Sequence, residues 1–535
     1  MKGGKTCGID TIDSFSLKLA APLLEEALKH LINLSIKSST FSKLWKPQLI
    51  FPLHKKSDKY LVENYRPVSH LVEIGKLVEY EVFDQVMKHF LSNDLFHANH
   101  HGGLPNHSTT TALIQIYDTF LNATQSKKIT AALLLDQSAA YDLLDHSILL
   151  RKLSAYNFDE NAINWFHSYL SGRSQSVQIE TKQSPPIQLS DHSTPQGSVL
   201  GGLLFIIFEN DFPACRVQGN SIMFVDDDTD IVSVKELDKL AESIQIESEN
   251  SCQWLKDNWM VVAGQKSKLM VIGTGEFKRR QYANGGELSV LVDGKLVSET
   301  QSEKLLGVIL NNRLTWKEHL YGESWRVEGA SSQGLINQLS QRVGMLKRIS
   351  KVASKSVLRK IAQGLFYSKL SYCLPLFVNT WGLDLYKDGS SRYQSFTKND
   401  LHKLQVLQNQ VSRLLIQKFP GENYMSTVEL LNRSGDLSVH QLGALSTLCL
   451  MKKILHTRKP SYIVENLQTI FDRGTRSGDT LRQSMARLEI VREGFLYRGT
   501  QLFNKIPPEL KNEQSMKKFK EYAKQWVLKN VVVKP

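Results

Sequence analysis

Two acidic segments of the chain lie at the ends of predicted strands. The mostly apolar run Ile129–Leu135 is too short for a typical helix and predicts a buried strand, which Asp136 follows directly. Two further apolar runs within Ser221–Val232 flank an acidic turn and predict a hairpin with Asp226–Asp228 at its bend. If the strand and the hairpin pair, carboxylates from two distant parts of the chain meet at one end of a sheet.

Crowded carboxylates repel one another, and their oxygens are the ligands that hard cations such as Mg²⁺ prefer, with phosphates often completing the shell. A pair of such ions can hold the attacking and leaving oxygens of a phosphoryl transfer. We therefore predict a site for Mg²⁺, or for Mn²⁺ in its place, at Asp136, Asp226 and Asp227. The alternative interpretation is an ordinary strand that ends in Asp, together with a solvated acidic turn.

Three segments of the sequence, in this order, are more specific for a function than the carboxylates alone. They read LLLDQSAAY at 133–141, PQGSVLG at 195–201 and FVDD at 224–227. They resemble motifs A, B and C of the reverse transcriptases, specifically those of jockey-like non-LTR retrotransposons. The resemblance implies an α+β right-hand polymerase, with a palm of antiparallel sheet and helices, fingers, and a helical thumb. It also implies RNA-directed DNA polymerase activity, which adds deoxynucleoside triphosphates (dNTPs) to a primer 3′-OH on an RNA template.

The charge balance agrees with a polyanionic partner. The 535 residues include 66 Lys and Arg against 53 Asp and Glu, a formal net charge of +13. A membrane surface is the alternative partner, but there is no run of 18 apolar residues and Met1–Asp13 is too polar for a signal peptide. The five cysteines are widely scattered, which argues against disulfides and structural zinc. We expect a reducing compartment, the nucleus or the cytoplasm.

The segments HKK at 54–56 and NYRPVS at 64–69 resemble the part of the fingers that holds the incoming triphosphate. The resemblance implies that Arg66 is the phosphate clamp, since a guanidinium offers a bidentate fork to phosphate. Lys55 or Lys56 would add a point charge. Without the family context, the same residues would be read as ordinary surface cations.

Three further positions take their roles from the resemblance. Tyr141, five residues after Asp136, matches the aromatic side chain that fills the space of a ribose 2′-OH, so the product would be DNA; core packing is the alternative. Gln196 and Gly197 match the motif B residues that lie near the nucleotide and the template base pair.

Within the segment 254–274, which resembles motif D, Lys266 matches a lysine that protonates the leaving pyrophosphate. A surface lysine is the alternative interpretation.

The sequence also departs from the family pattern. Gly103, Leu104, His107 and Gly202 replace more usual residues, as do Asp228 and Asp230, which add negative charge beside the predicted metals. We expect Asp228 to be solvated. These departures keep open an alternative, a nucleic-acid-binding relic that retains the fold without turnover. A polymerase that makes RNA is a third alternative, which Tyr141 disfavours.

The chain divides into four predicted regions: an N-terminal helical extension (1–35), fingers and palm (36–311), a helical thumb (312–400) and a helical C-terminal region (401–535). A helical spacing of apolar residues from Leu335 to Leu346, followed by lysines and arginines up to Lys360, suits a thumb that tracks phosphates; a solvated basic face is the alternative. Because only 35 residues precede the predicted polymerase, we expect this chain to lack the endonuclease that such elements usually carry. The sequence leaves the oligomeric state open.

Overall fold

The computed structural model describes residues 7–55, 58–138, 140–273, 287–322, 333–378, 395–416, 425–467 and 480–531. In these ranges, two larger β-sheets and a two-stranded sheet lie among many helices, which is the predicted α+β class. A search of the same ranges for a membrane-spanning helix, long and apolar enough to cross a bilayer, finds none.

The first sheet forms the centre of the molecule. Its strands run in the order β11-β12-β10-β3-β8-β7, with β9 paired to the end of β3. Their bounds are β3 (Ile129–Ser138), β7 (Asn220–Phe224), β8 (Asp227–Val234), β9 (Val261–Val262), β10 (Lys268–Ile272), β11 (Ser289–Val292) and β12 (Lys295–Thr300). All neighbours are antiparallel except β10 and β12, which are parallel.

Strand β3 is apolar along its whole first half because it is covered on both faces. Successive side chains of a strand point to opposite faces. Ile129, Ala131 and Leu133 join one hydrophobic core. Ala132 joins a second core on the other face, and Leu134 packs against it. Burial on both faces explains why this strand reads as a continuous apolar run rather than as an alternating one.

A second sheet lies beside the first, in the order β2-β1-β4-β5, with β6 also paired to β4. Its strands are β1 (Gln48–His54), β2 (Tyr65–His70), β4 (Ser174–Ile179), β5 (Lys182–Gln183) and β6 (Ile187–Gln188). Strands β1 and β2 pair antiparallel, with Leu53 opposite Arg66. This sheet therefore carries the segments that were predicted to form the fingers.

Eight helices accompany these sheets. They are α1 (Ser14–Lys37), α2 (Glu73–Ser92), α3 (Thr109–Gln125), α4 (Ala140–Leu143), α5 (His146–Ala155), α6 (Glu160–Leu170), α7 (Gly201–Glu209) and α8 (Leu237–Asp257). The sequence predicts that Asp142, Asp145 and His146 cap a helix that starts near Ser147. Helix α5 begins at His146, and its N-cap residue Asp145 accepts a hydrogen bond from the Ile148 amide at 2.8 Å. Buried side chains of α2, α5, α6, α7 and α8 belong to the first core.

The chain then forms a two-stranded sheet, β13 (Ser302–Leu305) with β14 (Val308–Asn311), and becomes helical. The longer helices of this part are Leu335–Ile349, Lys355–Ala362, Lys398–Ile416, Thr427–Ser434, Val439–Thr457, Phe495–Lys505 and Met516–Asn530. Shorter helices are Lys317–Tyr321, Ser368–Leu370, Leu374–Phe377, Ser461–Asn466, Glu489–Arg492 and Pro508–Lys511. Their apolar faces join α3 and the central sheet in the second core, which thus crosses the predicted boundaries at 311 and 400. Those boundaries stay predictions.

Most predicted elements are confirmed, including the hairpin at Asp293–Gly294, whose two turn residues both have positive φ. One expectation about packing is wrong. The helical spacing of Leu24, Leu28 and Leu31 predicts a helix whose apolar residues simply pack on the rest of the protein, but Leu24 and Leu31 of α1 are 38% and 37% exposed. The segment does form a helix, but the buried residues of α1 are Ser14, Leu17 and Ser35, which lie near the two ends of the helix. The predicted loop 472–479 lies outside the described residues.

Candidate active site

The three predicted metal ligands come together at one end of the central sheet. Asp136 lies near the end of β3 and is the cross-strand partner of Asp227, the first residue of β8. Asp226 occupies the two-residue turn that joins β7 to β8. The other turn residue, Val225, has φ +61°, a conformation that β-branched residues rarely adopt. Pairing of β3 with β8, as predicted, is what brings the distant carboxylates together.

The negative charges affect one another. Burial, the Asp226 carboxylate and the Asp136 carboxylate raise the pKa of Asp227 from its ordinary value to about 6. A nearby cation would stabilise the ionised forms of all three acids, since its positive charge offsets their mutual repulsion. The carboxylates therefore fit a divalent ion bound through hard oxygen ligands. Among the described residues, no group of three or more Asp, Glu, His or Cys side chains is arranged so that it could hold a metal ion by itself, and metal binding by these three acids stays a prediction.

A cleft of about 770 Å³ opens at these acids. All nine predicted site residues that the structure describes line it: Lys55, Arg66, Asp136, Tyr141, Gln196, Gly197, Asp226, Asp227 and Lys266. Lys56 lies outside the described residues. The structure thus brings the predicted residues together, while their individual chemical roles stay predictions.

The cations of the cleft lie on separate elements. Arg66 is on β2, and Lys55 follows β1, where its amide donates to the Asn64 carbonyl at 2.8 Å. Lys266 approaches the acids from the segment between β9 and β10, with its Nζ 3.8 Å from Asp136 Oδ1. Both of these side chains are substantially exposed, so the ion pair itself contributes little to stability. Lys266 therefore lies beside the acids, and its role as a proton donor stays a prediction.

Tyr141 belongs both to the cleft and to the packing around it. Its ring is stacked on Phe205 of α7, with ring centroids 4.9 Å apart and planes inclined by 26°. Burial, followed by the charges of Asp226 and Glu209, raises the pKa of Tyr141 to about 12. Tyr141 therefore packs against α7 and also lines the cleft, while exclusion of a ribose 2′-OH by its ring stays a prediction.

The loop from Pro195 to Leu200, which we call the motif B loop, approaches the strand β2 very closely. The Ser69 amide donates to the Gln196 carbonyl at 2.8 Å. Gly197 has φ +119°, and a Cβ built there would lie 2.6 Å from the Ser69 carbonyl oxygen. Only glycine permits both this conformation and this approach.

The expectation that Asp228 is solvated is wrong. Its side chain is only 2% exposed, because the strand alternation that turns Asp227 toward the cleft turns Asp228 toward α7. The Gln137 side chain, one position after Asp136, points the same way and donates to Asp228 Oδ2 at 2.8 Å and to Glu209 Oε1 at 2.5 Å. Burial, followed by the charge of Asp230, raises the pKa of Asp228 to about 8.

The sequence pattern did not lead us to predict this buried group of Gln137, Glu209 and Asp228. The available signal was the period of two, which places the residue after each cleft acid on the opposite face of the sheet. Asp230 is also buried rather than beside the cleft, and its Oδ1 lies 3.0 Å from Arg216 Nη2. The additional acids of the hairpin are therefore held beneath the site and do not line it.

Comparison with known proteins agrees with this geometry. Residues 53–310 match the family model "Reverse transcriptase (RNA-dependent DNA polymerase)". The chain is 25% identical over 349 residues to "RNA-directed DNA polymerase from mobile element jockey" of Drosophila melanogaster, covering 63% of this chain and 37% of that protein. It is 23% identical over 420 residues to "Probable RNA-directed DNA polymerase from transposon BS" of the same fly, covering 77% and 43%.

Among solved structures, apo telomerase from Candida tropicalis aligns with 83% of this chain and 73% of its own, at 12% identity and a TM-score of 0.39. The chain spans less than half the length of the fly relatives that it matches. Except for residues 48–52 of β1, the family match covers both sheets, and it includes every described residue of the cleft, which gives these residues the fold of a right-hand polymerase. Residues 53–310 are therefore a reverse transcriptase domain, similar to the RNA-directed DNA polymerases of jockey-like non-LTR retrotransposons.

Proposed function

We propose that this chain is an RNA-directed DNA polymerase. The observation that carries the proposal is the convergence of Asp136, Asp226 and Asp227 in one cleft with two phosphate-binding candidates, Lys55 and Arg66. In the reaction, the 3′-oxygen of the primer forms a bond to the α-phosphorus of a dNTP. The bond from that phosphorus to the pyrophosphate breaks, the 3′-hydroxyl loses its proton, and the pyrophosphate leaves.

Proteins of the reverse transcriptase family use divalent metal ions. Here Asp136, Asp226 and Asp227 would hold them, as Mg²⁺ or Mn²⁺, and the ions would supply charge stabilisation for the attacking and leaving oxygens. The protein's own contribution is positional. Pairing of β3 with β8 fixes the acids relative to one another, and burial, followed by the charges of Asp226 and Asp136, raises the pKa of Asp227.

Each of the other predicted site residues of the cleft contacts either the nucleotide or the template. Arg66 and Lys55 bind the triphosphate from the β1–β2 hairpin, and Lys266 donates a proton to the leaving pyrophosphate. Tyr141, fixed by its stack on Phe205, excludes a ribose 2′-OH. Gln196 and Gly197 present the backbone of the motif B loop to the nascent base pair.

The nucleic acid itself is held by charge. Lys347, Arg348, Lys351, Lys355 and Lys360 are all exposed at the end of the helix Leu335–Ile349 or just after it. Arg359 was predicted to belong to this basic group, but it is turned toward Asp436, with the two side chains 3.2 Å apart. The five exposed cations suit contacts to the phosphates of a primer–template duplex.

Primer extension tests the proposal. With an RNA template, a DNA primer and Mg²⁺, the protein is expected to incorporate dNTPs, and Asp226→Asn is expected to reduce the rate at least about a hundredfold. Asp238→Asn, an exposed acid in the first turn of α8, is the matched control and should retain the rate. Absence of incorporation from the wild type, with binding of the primer–template retained, would identify a binding relic instead. Efficient use of ribonucleotides would identify an RNA-making polymerase.

A further inference from the structure

A buried carboxylate on α2 holds the motif B loop from behind. Glu79 is 1% exposed, and its Oε2 accepts hydrogen bonds from the amides of Val199 at 2.6 Å and Leu200 at 3.3 Å. These two amides immediately precede α7, whose first helical residue is Gly201. A negative charge is favourable there because amides without a helical partner lie at a helix N-terminus. Glu79 itself lies outside the cleft lining.

The positive charge of Arg173, which directly precedes β4, opposes the effect of burial on Glu79. Burial raises the pKa of Glu79, and the positive charge of Arg173 acts in the opposite direction. Arg173 is itself buried, with its Nε donating to the Tyr169 carbonyl at 2.8 Å and its guanidinium 4.3 Å from the centroid of the Tyr169 ring. The arginine is thus fixed by the end of α6, and it compensates a carboxylate that would otherwise be costly to bury.

Other hydrogen bonds hold the first half of the loop. The Ser69 amide donates to the Gln196 carbonyl, and the Thr194 amide donates to the Tyr141 carbonyl at 3.0 Å. Within the loop, Ser198 Oγ donates to the Pro195 carbonyl at 2.9 Å. No described helix or strand includes residues 195–200, so anchors from outside determine the loop's shape. Removal of the Glu79 carboxylate would leave the two amides before α7 without this acceptor.

We propose that Glu79 is a positioning residue for the motif B loop, and that its hydrogen bonds to the Val199 and Leu200 amides set the placement of Gln196 and Gly197 against the incoming nucleotide. The inference rests on the proposed polymerase function for its kinetic consequence. The loop contact itself does not depend on that function. Glu79 acts at a distance from the reacting atoms, through two backbone amides. Its removal should therefore affect nucleotide binding more than it affects the chemical step.

Two measurements on three variants test the proposal. Glu79→Met removes the acceptor at similar length, and Glu79→Gln keeps an oxygen without the charge. Glu73→Met is the control, because Glu73 is a buried acid of the same helix whose carboxylate lies 2.7 Å from Lys76 Nζ. The first measurement is amide hydrogen exchange of the unliganded full chain, over the peptide that contains residues 195–203. The second is single-nucleotide incorporation, which separates KM for dNTP from kcat.

In Glu79→Met, exchange at Val199 and Leu200 is expected to be about tenfold faster, the effect that removal of a charge-assisted hydrogen bond predicts, with the rest of α7 unchanged. KM for dNTP should rise about tenfold while kcat falls by less, and Glu79→Gln should restore part of both. Glu73→Met should change neither. If Glu79→Met does not fold, Glu79→Gln carries the same comparison against Glu73→Gln.

Unchanged exchange at Val199 and Leu200, or an equal rise of KM in the Glu73 control, would overturn the proposal. The two measurements also separate its failure from failure of the proposed function. If the wild-type chain incorporates no nucleotide, the polymerase assignment fails, while the exchange comparison still decides whether Glu79 holds the loop.

Discussion

At the scale of single residues, the Tyr141 ring performs two tasks that a mutation can separate. Its face is stacked on Phe205, while the residue also lines the cleft that contains Asp226. The phenolic hydroxyl stays protonated at physiological pH, because burial and nearby acids raise the pKa of Tyr141 to about 12. The ring therefore acts through its volume and not through its charge.

Replacing Tyr141 with Ala is expected to admit ribonucleotides. The ratio of kcat/KM for dNTP to that for the matching ribonucleotide should fall by about tenfold to a hundredfold, the range in which a pocket discriminates one hydroxyl group. Single-nucleotide incorporation with both substrates measures it. Tyr141→Phe keeps the ring and is expected to keep the ratio. A ratio unchanged in Tyr141→Ala would leave the residue with a packing role alone.

The same scale shows what the sequence could and could not predict. Asp136, Asp226 and Asp227 were predictable because an apolar strand followed by an acid, and an acidic hairpin turn, are both visible in the sequence. The burial of Asp228 was not, because it depends on which face of β8 packs on α7. Glu79 and Arg173 carried no local signal at all, since their interactions join segments that are far apart in the chain.

At the scale of elements, the motif B loop and the start of α7 contain two glycines with opposite requirements. Gly197 has φ +119°, with the Ser69 carbonyl 2.6 Å from the place of a Cβ. Gly202, in the first turn of α7, has nothing within 4 Å of that place. The departure of Gly202 from the family pattern therefore has no steric reason among the described residues.

An alanine at each position tests this difference. Gly197→Ala is expected to destabilise the fold by about 1–3 kcal/mol and to lower incorporation strongly, because a side chain there strains the backbone and pushes the loop away from Ser69. Gly202→Ala should be neutral or stabilising by up to about 1 kcal/mol, since alanine favours the helix. Urea unfolding measures both. Equal effects at the two positions would contradict the steric argument.

Elements were more predictable than their packing. Strands β1, β3, β7 and β8 and the helix Leu335–Ile349 follow from apolar periodicity and turn residues. The exposed middle of α1 does not follow, because its leucines are spaced as they would be in a buried helix. Periodicity gives the conformation of a segment, whereas its burial depends on neighbours that the segment's own sequence does not specify.

At the scale of the whole molecule, the net charge of +13 should act through particular cations. Replacing both Lys347 and Lys351 with Gln is expected to weaken primer–template binding and to reduce the slope of log K against log salt by about one for each phosphate that no longer meets a lysine. Fluorescence anisotropy between 50 and 200 mM salt, a range of about the size in which such effects are large, measures it. Lys29→Gln, an exposed lysine of α1, is the control. If the Lys347 and Lys351 double variant has the same slope as the wild type, the basic end of this helix contacts solvent and not phosphates.

The C-terminal helices cover a buried acid of the palm, which makes their attachment sensitive to pH. Asp118 of α3 is 4% exposed, and burial raises its pKa to about 8, although the charge of Arg498 acts in the opposite direction. Because the pKa of Asp118 is higher in the folded state than its unfolded value of 3.8, the carboxyl group stabilises the fold fully below pH 3.8. This contribution is lost as pH rises toward 8. The wild type should therefore lose stability as pH rises from about 4 to 8.

Asp118→Asn removes this dependence. Relative to wild type, its free energy of unfolding is expected to rise by about 2 kcal/mol more at pH 8 than at pH 6. Urea unfolding at the two pH values measures the difference. Asp94→Asn, at a side chain 85% exposed in an ion pair with Lys459, is the control and should show little change with pH. A parallel pH profile for wild type and Asp118→Asn would show that the carboxyl is already ionised at pH 6.

The pairing of β3 with β8 runs without interruption from Ile129 opposite Val234 to Asp136 opposite Asp227. Removing a single residue between positions 129 and 136 would turn Asp136 to the face that now holds Gln137, away from Asp227 and toward α7. The apolar positions of this strand can exchange for one another, yet their number is fixed. Within these two strands, the number of residues is therefore a stricter requirement than the identity of any one hydrophobic side chain.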